Sequence, residues 1–226
     1  MKQSPSLIGP SGEETVLPTF LNLPPDKRER VVEAALVEFA DKGYQQASLN
    51  TIVAASGIAK GSIYQYFRDK KGFFLYLFDF AVARVRRTLV QVKEASAHQD
   101  FFTRLEKSLL AGVEFIRRHP RIYGIYLKIL FDRHVPRRDE LLRAVRRFAA
   151  DYLGSLLRQG MARGEVRADL PEGTAVFILD ALLDRFLQAA SVPAFDVALD
   201  LDRAASPELE QRIRELVDIL RRGLAR

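Results

Sequence analysis

The sequence predicts an all-α protein of about nine helices, with a small N-terminal module followed by a larger helical body. Apolar residues recur at i, i+3, i+4 and i+7 along most of the chain, while strand-like alternation never lasts more than a few residues. Hydrophobic residues make up 48% and charged residues 28%, with only 13 glycines and 10 prolines in 226 residues, so the chain can bury a real core. Its many Leu, Ala, Arg and Glu residues favour helix.

Residues 1–24 contain Pro5, Gly9, Pro10, Gly12, Pro18 and Pro24 without a sustained period and read as a flexible arm, although 16–23 is apolar enough to dock. A first helix starts at Pro25 or Asp26, where proline and an acid suit the opening turn. Val32, Ala35, Leu36 and Phe39 form its stripe, and Gly43 ends it. Ser48 is a good N-cap for a short helix whose apolar Leu49, Ile52 and Val53 share one face and which stops at Gly57. After Gly57-Ile58-Ala59, a third short helix over 60–67 turns Ile63 and Phe67 inward. It leaves Lys60, Ser62, Tyr64, Gln65 and Tyr66 largely outward, with Tyr64 also readable as half core. These three helices define a domain over 25–70.

Residues 71–226 form the second domain. A long helix runs from about Lys70 into the nineties on Phe74, Leu77, Phe78, Ala81, Val85, Leu89 and Val92. At 1.5 Å per residue it spans roughly 35 to 40 Å, enough to tie the module to the body. Helices over 100–118, 120–131 and 137–163 follow, the last with Leu141, Val145, Phe148, Tyr152 and Leu156 as its buried stripe. The helix opened by Pro171 is apolar nearly all round from 175 to 187, interrupted only by Asp180, Asp184 and Arg185, and so needs burial on more than one side. The final helix starts at Ser206-Pro207-Glu208 and aligns Leu209, Ile213, Leu216, Val217, Leu220 and Leu224.

With no cysteine, disulfides, zinc fingers and thiol nucleophiles are excluded, and three histidines (His98, His119, His134) make metal chemistry a poor expectation. No metal and no cofactor are expected. No secretory leader and no run of 18 apolar residues occurs, so the reading is cytoplasmic, without a membrane partner. There is no Gly-x-Ser-x-Gly elbow, no Gly-x-x-x-x-Gly-Lys loop and no Glu-x-x-His pair, which argues against an enzyme. The net charge of +6 and pI near 9.6 favour a polyanionic partner. The excess is misplaced for a simple electrostatic argument: 24–72 holds eight Lys or Arg against six acids, whereas 117–147 holds ten against three. A motif has to carry the functional reading.

Three short helices with Gly57-Ile58-Ala59-Lys60-Gly61 between the second and third describe a helix-turn-helix. Gly57 supplies a turn without a Cβ penalty, Ile58 an apolar plug, and Gly61 and Ser62 small residues where backbone approaches phosphate. Tyr64, Tyr66 and Lys70 can reach phosphates with a hydroxyl or an ammonium. The run from Gly57 to Lys70, Gly-Ile-Ala-Lys-Gly-Ser-Ile-Tyr-Gln-Tyr-Phe-Arg-Asp-Lys, resembles the signature of the TetR family of bacterial regulators. Phe39-Ala40-Asp41-Lys42-Gly43-Tyr44 and Ser48-Leu49-Asn50-Thr51-Ile52 are similar to that family's first and second helices, so the match covers about residues 26 to 75.

The resemblance implies a ligand-responsive, sequence-specific transcriptional regulator, by the family's habit a repressor. Asn50, Lys60, Ser62 and Gln65 would face base edges or the groove, while Ser48, Tyr64, Tyr66 and Lys70 hold the DNA backbone. The body would then be a ligand-binding and dimerisation domain. Two helices per subunit, 171–190 and 207–224, would form a homodimer interface that includes Leu183, Leu187, Ile213, Leu216, Val217 and Leu220. Two recognition helices about one DNA turn apart, roughly 34 to 36 Å, would read a near-palindromic double-stranded operator.

Candidate pocket residues are the aromatics Phe115, Tyr123, Tyr126, Phe148, Tyr152 and Phe177 with the charged Arg118 and Asp180; an aromatic at helical spacing is more often plain core than a ligand contact. Arg117, Arg118, His119 and Arg121 would suit an effector with an acidic end, or form a solvated face. Asp180 and Asp184 would suit a cationic lipophile, or a salt bridge with Arg185 between subunits. The expected effector is apolar with an acidic end. The competing readings are a ligand-independent architectural DNA-binder on the same fold and a helical enzyme.

Overall fold

Helix boundaries follow the local signals closely. The computed structural model describes residues 16–224. α1 (Pro18–Leu21) is a single turn with proline at its start, and α2 (Pro25–Gln46) begins likewise. Gly43 interrupts α2 with φ 72°, a conformation open to glycine because it has no Cβ, so the regular run ends where the sequence places its stop. α3 (Leu49–Ser56) starts at Ser48, whose side chain accepts from Thr51 N, and ends at Gly57 with φ 66°. α4 (Ser62–Tyr66) is shorter than the expected 60–67, because Gly61 at φ 94° precedes it and Phe67 is extended.

The remaining helices are α5 (Lys70–Ala95), α6 (Phe101–Arg118), α7 (Pro120–Phe131), α8 (Arg138–Ala162), α9 (Glu172–Ser191) and α10 (Ser206–Leu224), with a 3-10 turn at Pro193–Phe195. Among the described residues there is no strand, only an isolated bridge between Val16 and Phe67. The fold is all-α, with ten helices among the described residues in place of the expected nine or so. The additional helix, α1, lies in the stretch expected to be a flexible arm. Phe20 of α1 is 0% exposed, packed 4.7 Å from the Phe67 ring, so 16–23 is part of the fold. Residues 1–15 of the expected arm lie outside the described residues.

Two compact units result. The first runs to Arg84 and takes in Arg121–Val145; the second takes Val85–Pro120 and continues from Arg146. This differs from a division at residue 70. In the first unit an aromatic cluster joins distant segments: Phe67 stacks on Phe73 at 4.0 Å, and Phe39 meets Phe74 at 5.3 Å. Helix α7 packs on α2 within this unit. Gly124 sits so close that a Cβ there would lie 3.2 Å from the Ala40 Cβ, and Arg121 Nη1 lies 2.5 Å from Glu33 Oε1.

The second unit is held by the inner faces of α6, α8, α9 and α10. Phe101, Leu105, Leu109 and Val113 meet Leu153, Leu156, Leu157, Leu179, Phe186, Leu209, Ile213 and Val217. Gly160 permits a close approach of α8 to the start of α6, since a Cβ there would fall 2.9 Å from the Phe101 Cβ. Arg146 of α8 reaches both Asp180 and Asp184 of α9, at 3.1 and 3.0 Å. Those aspartates, expected to face a ligand or Arg185, are thus paired within the protomer, while Arg185 donates to the Phe195 carbonyl. Pairing is what a half-buried carboxylate requires.

Candidate nucleic-acid interface

Helix α4 is five residues long and cannot hold itself in water, so its position depends on what lies beneath it. Ile63, Tyr66 and Phe67 are buried under it, and the plug Ile58 is buried below the turn. Val16–Leu21 braces it from the side: Leu17 N donates to the Tyr66 carbonyl at 2.9 Å, and the Thr19 hydroxyl donates to the Gln65 carbonyl. Two carbonyls near the end of the helix are thereby satisfied by a segment more than forty residues upstream.

The outward surface carries Lys60, Gly61, Tyr64 and Gln65, with Asn50 exposed on α3 and Ser48 and Ser62 half-buried. Tyr64 is 60% exposed and so not half core. Tyr66 departs from expectation: it is only 5% exposed, with its ring 5.8 Å from Phe20. Its place on the helix looked outward because the apolar partner that covers it comes from the N-terminal segment. Lys70 is half-buried as well. Its ammonium donates to the Gln45 carbonyl at 2.9 Å and lies 5.1 Å above the Tyr44 ring, and burial pulls its pKa down against the raising influence of Glu38. Ser48 N donates to Glu38 Oε1 at 2.8 Å, which ties the start of α3 to α2. Sequence reasoning missed Leu17, Phe20 and Glu38 as supports. The apolar run at 16–23 was the visible sign, but it gave no address.

The expected pocket residues divide between units. Tyr123 and Tyr126, with rings 5.5 Å apart, belong to the first; Phe115, Arg118, Phe148, Tyr152, Phe177 and Asp180 belong to the second. Tyr152 is buried, with its hydroxyl 2.7 Å from the Ser108 hydroxyl, and burial raises its pKa. Phe177 is 72% exposed and lines no interior of the protomer. Arg118 is exposed and pairs with Glu114 at 3.3 Å, while Arg117 donates to the carbonyls of Leu201 and Ala204. These arginines are exposed and each is held by a partner within the protomer, Arg118 locally and Arg117 and Arg121 by distant segments.

Of the expected interface residues, Ile213, Val217 and Leu220 lie in the core of their own protomer, and Leu183, Leu187 and Leu216 pack against that core. The large exposed apolar residues of these two helices are Phe177, Ile178 and Ile219. Among the described residues no group of three or more His, Asp or Glu forms a metal site, and no helix is long and apolar enough to cross a membrane.

A supported recognition helix with a polar outer face, set after a glycine turn in a helical unit, defines a helix-turn-helix DNA-binding regulator. Residues 31–77 match the family described as bacterial regulatory proteins, tetR family, and residues 99–225 match the tetracyclin repressor-like C-terminal domain. The chain belongs to the TetR family. A TetR-family regulator from Chloroflexus aurantiacus J-10-FL is 31% identical, with a TM-score of 0.70, covering 94% of this chain and 99% of that one. The probable acrEF/envCD operon repressor of Escherichia coli K12 is 26% identical over 165 residues, 71% of this chain and 74% of the relative. The fold is shared with the Bacillus subtilis regulator FadR in complex with stearoyl-CoA, at 17% identity and TM-score 0.65, covering 84% of this chain and 96% of that one.

Proposed function

We propose that the protein is a homodimeric repressor that reads a near-palindromic operator through α3 and α4 and is released by a largely apolar small molecule with an acidic end. The observation that carries the DNA reading is the outer surface of α4 and its turn, where Lys60, Gly61, Tyr64 and Gln65 are exposed over a buried Ile63 and Phe67. Lys60 and Gln65, with Asn50 and Ser62, are suited to base edges; Tyr64 and Ser48 are suited to phosphates. For Tyr66 and Lys70 the bulk of the side chain is structural, leaving the hydroxyl and the ammonium as the only parts that can serve DNA.

The dimer reading rests on family membership and on the exposed Phe177 and Ile178 of α9 and Ile219 of α10, large apolar side chains that a lone protomer leaves in water. The interface is proposed to centre on these three, with Leu183, Leu187 and Leu216 behind them. Ligand release is supported by the neighbour that carries stearoyl-CoA on this fold. An effector acts only by binding one DNA-competence state better than the other, and α5, which contributes residues to both units, is the proposed lever.

Selection of binding sites from random duplexes, at two salt concentrations, tests the reading. A palindrome is expected. Lys60→Ala should relax preference at one symmetric position per half-site, and Tyr64→Ala should weaken binding to all sequences. Failure to enrich any duplex, with no binding even at low salt, would refute it.

A further inference from the structure

Arg104 is buried to 2% exposure, and no ion pair accompanies it among the described residues. Its Nη1 donates to the neutral Gln159 Oε1 at 2.9 Å, and its buried Nε has no partner. From Gln159 a ring of polar groups closes around the same place. Gln159 Nε2 donates to Ser155 Oγ at 3.2 Å, and Lys93 Nζ donates to that same oxygen at 2.7 Å. Lys93 lies 6.0 Å from the centre of the Tyr152 ring. Tyr152 and Ser108 join hydroxyls at 2.7 Å, and Ser108 donates to the Arg104 carbonyl at 2.7 Å.

The ring thus contains two cations, three hydroxyls, an amide and no anion. All six residues belong to the second unit. Arg104 and Ser108 stand one turn apart on α6, and Tyr152, Ser155 and Gln159 share one face of α8.

A buried guanidinium held by one neutral acceptor is unfavourable, and its position adds to this. Arg104 occupies the first turn of α6, the positive end of that helix dipole, whereas Lys93 sits in the last turn of α5, where a cation is favoured. The carboxylate one turn before it, the N-cap Asp100, already accepts from Phe102 N, Thr103 N and Thr103 Oγ1 and faces Arg221 at 3.8 Å. Among the described residues no carboxylate pairs with Arg104, and a negative charge beside its guanidinium would settle it.

We propose that this ring is an anion site that takes the carboxylate of an amphipathic effector, with the free Nε edge of Arg104 as its principal donor and Lys93 as the second charge. Guanidinium and carboxylate match in plane and spacing, and the apolar residues around the ring, Leu105, Leu109, Leu153 and Leu156, suit the chain that follows such a head group. The site replaces the exposed Arg118 as the recogniser of an acidic end. Its role in release rests on the reading of the protein as a ligand-responsive repressor.

Thermal melting of the full-length protein with octanoate, dodecanoate and phenylacetate, each beside its alcohol, provides the test, with dodecyl phosphate as a further arm. At least one carboxylate should raise Tm while its alcohol does not. Arg104→Met should weaken that carboxylate at least about tenfold, as loss of a charge-assisted bond implies, and without ligand should melt no lower than the parent. Arg104→Lys should keep part of the response. If Arg104→Met fails to fold, Lys93→Met should still weaken the carboxylate.

The proposal is overturned if no carboxylate raises Tm, if the alcohols act equally, if the response survives in both variants, or if only dodecyl phosphate binds. Operator binding is read in the same samples. A melting shift that leaves DNA binding intact upholds the site and overturns ligand release, whereas absence of DNA binding overturns the repressor reading and leaves the melting result to decide the site.

Discussion

Adjacent tyrosines on one short helix carry opposite duties. Tyr64 is in water and Tyr66 is packed on Phe20, so substitution should separate DNA contact from stability. Tyr66→Ala is expected to cost about 3 to 5 kcal/mol in urea unfolding, as loss of a buried aromatic does. Tyr64→Ala should stay within about 0.5 kcal/mol of the parent while weakening operator binding. Gly61 is a second residue-scale case. With φ at 94° and open space where a side chain would begin, Gly61→Ala should cost about 1 to 2 kcal/mol from backbone strain alone, measured by the same titration. The glycine turn was legible in the sequence because it is a local requirement. The inward turn of Tyr66 was not, because its partner lies forty-six residues away.

At the scale of elements, α1 matters beyond its four residues. Phe20→Ala removes the ring that fills the space between Phe67, Tyr66 and Tyr76, and should lower stability by about 3 to 5 kcal/mol. Operator affinity should fall too, although α1 offers no base-reading group, since α4 loses its brace; a DNA titration below the melting transition checks this. At α6, burial would raise the Asp100 carboxyl, but its bonds from Thr103 and Phe102 and the charge of Arg221 prevail and hold its pKa below the ordinary 3.8. A depressed carboxylate stabilises above its unfolded pKa, and that stability is lost as pH falls through the lower folded value. Asp100→Ala should therefore cost about 1 kcal/mol at pH 7, with the difference from the parent closing in unfolding titrations taken below pH 4. Helix stops and caps such as Gly43, Ser48 and Gly57 could be read directly from the chain, whereas the capping role of Asp100 emerged from the structure. Arg104 could not, although its place between Phe101 and Ser108 on a buried stripe was the sign.

For the whole molecule, assembly is the property a single protomer leaves open. Phe177→Glu or Ile219→Glu should convert the proposed dimer to a monomer in sedimentation and abolish tight binding to a palindromic duplex, with the fold of each protomer kept because both side chains are already in water. Sequence pattern identified α9 and α10 as apolar helices but assigned the interface to Ile213, Val217 and Leu220, which the protomer uses for its own core. A helical stripe reports that a face is buried and cannot say whether the cover is intramolecular.

What the sequence by itself determined was local in cause: all-helical structure, the positions of starts and stops, the glycine turn before the recognition helix, and membership of a DNA-binding family. Each follows from backbone preferences and from the 3.6-residue period, which act over a few residues. Tertiary structure alone decided that residues 16–23 brace α4, that α7 returns to α2, that Asp180 and Asp184 share Arg146, and that Arg104 is buried without an anion. Those outcomes depend on which distant segments come to exclude water from one another. Hydrophobic burial is non-directional, and it leaves that choice to the packing of the whole chain.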